Sequence, residues 1–209
     1  MQDDPKFIYD RLRALLGGKL PVEQFQAAKA LIEGLPAVRN NFATAIQAVP
    51  PTMLQTMSRD GRKLLQQLEG LRLTAYRDSA GIWTIGYGNT YHPDGRPVKA
   101  GDSITATQAD EYMIAVLPKY ENTVRKIITA PLTQNQFDAL VCFVYNIGST
   151  AFLNSSVDDK INAGNIPAAL SSWAAHNKVR NPTTGKLAVS QGIVNRRNAE
   201  IALFNKKEV

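Results

Sequence analysis

Two carboxylates and a hydroxyl stand at short, unequal spacings in one stretch of this chain: Glu69, then Asp78 nine residues on, then Thr84. The stretch Leu68–Gly88 joins the end of an amphipathic helix to a short β-hairpin, so the three polar groups come from separate elements toward one cleft. Each has a purely structural explanation by itself: Glu69 as a solvated helix end, Asp78 as the side chain that caps its own turn, Thr84 as an ordinary strand residue. Together they offer a division of labour. A carboxyl at a helix C-terminus faces the negative end of the helix dipole, and partial burial against the hairpin raises its pKa further, so Glu69 is expected to stay protonated as a general acid. Asp78, in a polar turn, is expected to stay ionised. Carboxyls whose environments separate their pKa values in this way are the means of cleaving a glycosidic bond. Trp83, Tyr87 and Tyr145 offer flat faces for sugar rings, although core packing is the first expectation for any one of them.

The elements that position these groups are legible from caps and periodicity. Ser58 is the expected N-cap of a helix with the stripe Leu64, Leu65 and Leu68, which runs to Glu69 and stops at Gly70. Leu73–Arg77 and Ile82–Tyr87 read as the strands of a hairpin around Asp78 and Gly81. Residues 89–103 are polar, with a turn at Pro93-Asp94-Gly95 and room for a third, edge strand. Thr105 to Gln108 and Thr133 to Gln136 match the capping-box pattern. The first predicts a helix to about Leu117 and the second a helix through Phe137, Leu140, Val141 and Val144. Further helices are expected from near Ser156, at Pro167, and over Gln191–Phe204. Before all of this, residues 5–49 read as three short helices closed by Pro50-Pro51, so the expected division is an N-terminal helical accessory segment, 1–56, and a catalytic domain, 57–209.

Composition bounds the function. With 209 residues, 44% hydrophobic and 20% charged, the chain has the make-up of a globular protein. No apolar run is long enough to span a bilayer, and the start Met1-Gln2-Asp3-Asp4-Pro5 is acidic where a signal peptide is basic, so the expected location is a cytoplasm. The lone Cys142 lies in an apolar run and reads as a buried hydrophobe. His92 and His176 have no ligand spacing with each other or with Cys142, so no metal and no cofactor is expected. Of the net charge of +6, the segment 1–56 carries +1 and the remainder +5. The larger segment is thus suited to an anionic surface such as a cell envelope. There is no zinc-finger spacing, no RNP-type aromatic motif and no dense Lys/Arg block, which argues against nucleic acid.

The pattern Glu69-x8-Asp78-x5-Thr84, set in Glu-Gly-Leu-Arg-Leu-x-x-Tyr-x-Asp-x-x-Gly-x-x-Thr-Ile-Gly-x-Gly, resembles the catalytic signature of phage-type lysozymes, the family 24 glycoside hydrolases that serve as endolysins. Gln136–Leu140 with Phe143-x-Tyr145-Asn146-x-Gly148 is similar to that family's central helix, Phe152–Ser155 to its cleft segment, and Gly192–Glu200 to its C-terminal motif. The resemblance runs from about residue 58 to the end and leaves out 1–56. It implies an α+β, lysozyme-like fold, mostly helical, with a small antiparallel sheet beside the cleft. It also implies a muramidase acting on peptidoglycan glycan strands by single displacement with inversion. Glu69 would be the proton donor, Asp78 and Thr84 the groups that hold or activate water. Tyr145, Asn146 and Ser155 match substrate-binding positions, and Arg196 matches an arginine against the catalytic glutamate. Asn89 follows Gly88 where many members have His, a departure that bears on local ion pairing. A lytic transglycosylase or a virion-associated glycan-binding protein is the alternative; retention of Asp78 and Thr84 argues for hydrolysis. The expected life cycle is that of a monomer held in the host cytoplasm until it is released to the wall, without membrane insertion.

Overall fold

In the computed structural model the described residues are 55–78, 80–180 and 184–207, and the three N-terminal helices expected over 5–49 lie outside them. Helix α1, Arg59–Glu69, starts where its cap requires: the Ser58 hydroxyl accepts the Gly61 N–H at 3.0 Å. Ser58 is itself fixed from across the core, its N–H donating to the Asp138 carboxylate at 2.9 Å and its hydroxyl to the other oxygen of the same group. The helix stops at Gly70, whose φ of 72° lies in the left-handed region, with its N–H returning to Gln66 O. Leu65 on its inner face is fully buried.

Strands β1, Arg72–Arg77, and β2, Trp83–Gly86, pair antiparallel with Tyr76 opposite Thr84 and a register irregularity between Arg72 and Tyr76. Between the strands Gly81 N–H closes a turn on Asp78 O at 2.9 Å. The edge strand expected within 89–103 does not form. Three isolated bridges stand in its place, Ile85 with Asn89, Tyr91 with Pro97 and Thr74 with Ser103, because Pro93 and Pro97 supply no N–H to a continuous ladder. The expected turn is present, Gly95 N–H reaching His92 O, and the loop is knitted instead by His92. One ring nitrogen lies 2.8 Å from Tyr112 Oη and the other 2.9 Å from Asp102 Oδ2.

Helix α2, Ala106–Ile127, opens with both halves of its capping box made. It does not end at Leu117 as expected: it passes through Pro118. The ring removes one backbone bond, but Glu121 and Val124 continue the buried face beyond it, and that packing outweighs the local defect. Helix α3, Gln134–Ile147, likewise starts on a full capping box and is buried at every position from Phe137 to Val144, which makes it the axis of the core. Short helices α4, Ser149–Leu153, and α5, Val157–Asn162, lead to α6, Ile166–Ala175, with Pro167 in its first turn. A second hairpin, β3, Lys178–Arg180, with β4, Leu187–Val189, was not expected, and α7, Gln191–Phe204, follows it and packs along α3. Phe143 of α3, Phe152, Trp173 of α6 and Phe204 of α7 form the aromatic centre, with ring centroids 4.7 to 6.0 Å apart between neighbours.

Gln55 and Thr56, placed on the accessory side of the expected boundary, are tied into this body. Gln55 Nε2 donates to Leu132 O at 3.1 Å, Thr56 O accepts from Gln134 Nε2 at 2.9 Å, and Gln55 O accepts from Arg125. Met57 is buried, with its N–H on Glu121 Oε1.

Candidate active site

Glu69 is the last residue of α1, and its side chain is 17% exposed. Its Oε1 accepts from Arg196 Nη2 at 2.7 Å, a contact that closes 127 positions of sequence. Gly88, φ 93°, lies beside the other oxygen: a Cβ built there would make an ordinary contact at 3.8 Å from Oε2, so it is the left-handed backbone that calls for glycine here. Burial raises the pKa of Glu69, the Arg196 charge and hydrogen bond pull it back, and the Glu200 carboxylate adds to the rise, with a net upward displacement. A carboxyl displaced this way holds its proton to higher pH than a solvated glutamate, as a general acid must.

Arg196, on the buried side of α7, is held at three points: Nη2 also approaches Cys142 O at 3.3 Å, and Nε donates to Glu200 Oε1 at 2.9 Å. Burial works to lower its pKa, and the charges of Glu69 and Glu200 more than offset that, so it stays a cation. Glu200 has no exposed surface. Its Oε2 accepts from Trp173 Nε1 at 2.9 Å and from Arg197 Nη1. Arg197 in turn donates to His176 O at 2.8 Å, bonds the Asn146 side chain and lies over the Phe143 ring at 4.7 Å.

Asp78 holds the hairpin turn: its Oδ1 accepts from Ala80 N at 2.9 Å and Ile82 N at 2.8 Å. Thr84 is buried on β2 and its hydroxyl donates to Ile82 O at 3.1 Å, which leaves lone pairs to accept. Tyr145 donates to Tyr87 O at 3.0 Å, tying α3 to the loop that holds Gly88, and its ring packs on Tyr120 at 4.7 Å. The phenol proton of Tyr145 is held far more tightly than in water, by burial first and then by the Glu69 charge, so it remains a neutral donor.

The predicted residues therefore divide. Glu69 and Arg196 meet directly, and Tyr145 is close enough to feel the Glu69 charge. Asp78 and Thr84 sit on the hairpin, both bonded to Ile82. Ser155 and Asn146 carry framework bonds. The Ser155 hydroxyl donates to Phe152 O at 2.6 Å and accepts Val157 N–H, while Asn146 Oδ1 is taken by Arg197. Trp83 is covered on one face by Arg77, 4.7 Å from its ring centroid. Sequence reasoning missed the part played by Glu200 and Arg197. The signal was available in their helical spacing, three and four residues between opposite charges. Among the described residues no three His, Cys, Asp or Glu side chains gather as a metal site, and no helix is long and apolar enough to cross a membrane.

A helical body, a small antiparallel hairpin and a half-buried glutamate at their junction define an α+β domain of the lysozyme type. The family model described as phage lysozyme matches residues 66–200, and the chain belongs to that family. It is 38% identical over 148 residues to the endolysin of Acyrthosiphon pisum secondary endosymbiont phage 1, covering 71% of this chain and 97% of that one. Among solved structures it is similar to the endolysin from Escherichia coli O157:H7 phage FAHEc1, with 44% identity, a TM-score of 0.68, and coverage of 72% of this chain and 94% of the other. The muramidase domain of SpmX from Asticaccaulis excentricus is 34% identical, with a TM-score of 0.67 and coverage of 73% and 99%.

Proposed function

We propose that this protein is an endolysin that lyses host cells by hydrolysing the β-1,4 bond between N-acetylmuramic acid and N-acetylglucosamine in peptidoglycan. The observation that carries the reading is the half-buried Glu69 clamped by Arg196 at the hairpin junction, in a chain of the phage lysozyme family. Protonated Glu69 gives its proton to the glycosidic oxygen as the bond to the anomeric carbon breaks. Positive charge develops on the sugar, and water oriented by Asp78 and the Thr84 hydroxyl attacks from the opposite face, its proton leaving to Asp78. Arg196, 2.7 Å from Glu69, then stabilises the carboxylate that the transfer has created. Tyr145 contacts the glycan, while Asn146 and Ser155 act from the cleft wall by shaping it. A transglycosylase needs the acid without a water partner, so Asp78 and Thr84 speak against that alternative.

The basic surface of the catalytic domain favours an anionic envelope, the protein acts as a monomer, and it waits in the host cytoplasm for release. The mechanism is tested by clearing of permeabilised cells and by the mass of the released muropeptides. Glu69→Gln is expected to slow clearing by about a hundred- to ten-thousand-fold. Asp78→Asn keeps the oxygen that caps the turn and is expected to slow clearing with the fold retained. Products from the wild type should end in a reducing sugar. Clearing by Glu69→Gln at the wild-type rate, or a 1,6-anhydro product, would overturn this assignment.

A further inference from the structure

Glu200 has no role in bond cleavage as described, yet it is a carboxylate with no exposed surface, next to the arginine that grips the acid. A buried anion is costly unless fully compensated, and Glu200 is: Arg196 and Trp173 donate to it at 2.9 Å each, and Arg197 donates as well. Its two oxygens are divided by task. Oε1 takes the Nε–H of Arg196, and Oε2 takes Trp173 and Arg197. Held at Nε by Glu200 and at Nη2 by Cys142 O, the planar guanidinium is fixed with Nη2 on Glu69.

We infer that Glu200 is a positioning residue for catalysis, which orients Arg196 toward Glu69 and shares its positive charge, so that the acid is gripped but not stripped of its proton. The inference rests on the assignment of Glu69 as proton donor. Without Glu200, the whole Arg196 charge acts on Glu69 and the acid ionises at lower pH. The other groups facing Glu69 cannot replace it: Tyr120 of α2 and Tyr145 of α3 are both held neutral by burial, and Cys142 is a buried thiol that burial likewise keeps protonated. The groups facing Glu200 are Arg196 and Arg197 of its own helix, Trp173 of α6 and the Cys142 thiol of α3, which stays protonated, so Glu200 is the anion set between two cations there.

The test is the pH profile of peptidoglycan hydrolysis by the 209-residue chain, with the titration of the Glu69 carboxyl by carbon NMR, assigned by its loss in Glu69→Gln. In Glu200→Gln the alkaline limb of the profile and the NMR midpoint should both move to lower pH. The clearing rate on the alkaline side should fall on the order of tenfold relative to the rate at acid pH. Glu200→Asp, which keeps the charge, should keep the limb near its wild-type place even where its rate is reduced. If Glu200→Gln does not fold, Arg197→Gln/Glu200→Gln removes one buried cation with the anion and should show the same downward movement. An unmoved or upward-moved limb and midpoint in the folded variant would overturn the inference. Because the NMR titration needs no turnover, a midpoint that moves in a protein without lytic activity would sink the proposed reaction and leave this electrostatic link standing.

Discussion

Gly61→Ala ought to stabilise a helix, and in this protein it should do the reverse. Gly61 lies inside α1 with ordinary helical backbone, where alanine is favoured over glycine by roughly 0.5–1 kcal/mol. A Cβ there, however, would stand 2.5 Å from Asp138 Cγ, 2.6 Å from its Oδ2 and 2.7 Å from its Cβ. Asp138 cannot swing aside freely, since its carboxylate accepts from Ser58 N at 2.9 Å, from the Ser58 hydroxyl and from Gln134 Nε2 at 2.8 Å. Displacing it sacrifices at least one hydrogen bond to a charged group, about 1.5–3 kcal/mol, and adds overpacking of about 1–3 kcal/mol. Against the propensity gain, the net is a destabilisation of about 1.5–5.5 kcal/mol, or roughly 3–20 °C in Tm for a domain of this size. Urea unfolding of the single variants and of Gly61→Ala/Asp138→Ala measures it. With the carboxylate gone the obstacle is gone, so in the Asp138→Ala background the same alanine should be neutral or stabilising by up to about 1 kcal/mol. Equal effects in the two backgrounds would refute the steric reasoning.

Stability should also pass through a maximum in mildly acid solution. Burial raises the folded-state pKa of Glu69, so folding gains as pH falls from neutral through that value, whereas the His92 hydrogen bond and then the Lys99 N–H lower that of Asp102, a contribution present above the ordinary carboxylate range and lost below about pH 4. Melting curves across pH for wild type and Asp102→Asn check this: the gap between them should narrow below that pH, and a constant gap would dismiss the His92–Asp102 pair as its source. The accessory segment read over 1–56 is proposed to bind the wall, and the cut that tests it is made after residue 54. This removal, which keeps Gln55 and Thr56 with their bonds to the catalytic domain, should reduce cosedimentation with purified peptidoglycan while leaving hydrolysis of soluble glycan within about twofold; unchanged sedimentation would end that idea.

What the sequence made legible was mostly local. The caps at Ser58, Thr105 and Thr133 and the glycine stop at Gly70 each depend on a few neighbouring residues, and each forms as read. Pro118 misled because its local penalty is easily seen and the buried face that outweighs it, through Glu121 and Val124, is tertiary. The β3–β4 hairpin escaped because three-residue strands, exposed throughout, carry no alternation to detect. Asn89 in place of the family's histidine pointed to a lost ion pair. The structure shows a histidine–carboxylate pair in the same loop, made by His92 with Asp102, which local spacing could not reveal. Glu69 and Arg196, 127 residues apart, were joined in advance only by resemblance to the family pattern.

A general acid faces opposed demands that no single group can meet. Before the transfer Glu69 must keep its proton, which favours a dry setting without cations; afterwards it is an anion in that same setting, which favours a cation in contact. Burial alone meets the first demand and leaves the product carboxylate unstabilised, and an unopposed Arg196 at 2.7 Å meets the second while depleting the protonated acid. The arrangement of Glu69, Arg196, Glu200 and Arg197 reconciles them by number and order. Two carboxylates alternate with two guanidinium groups, so with Glu69 protonated the cluster keeps one net positive charge, and proton transfer brings it to neutrality. The charge that appears on Glu69 during catalysis is therefore the one the cluster lacked, and Arg196 is already in contact with the atom that receives it.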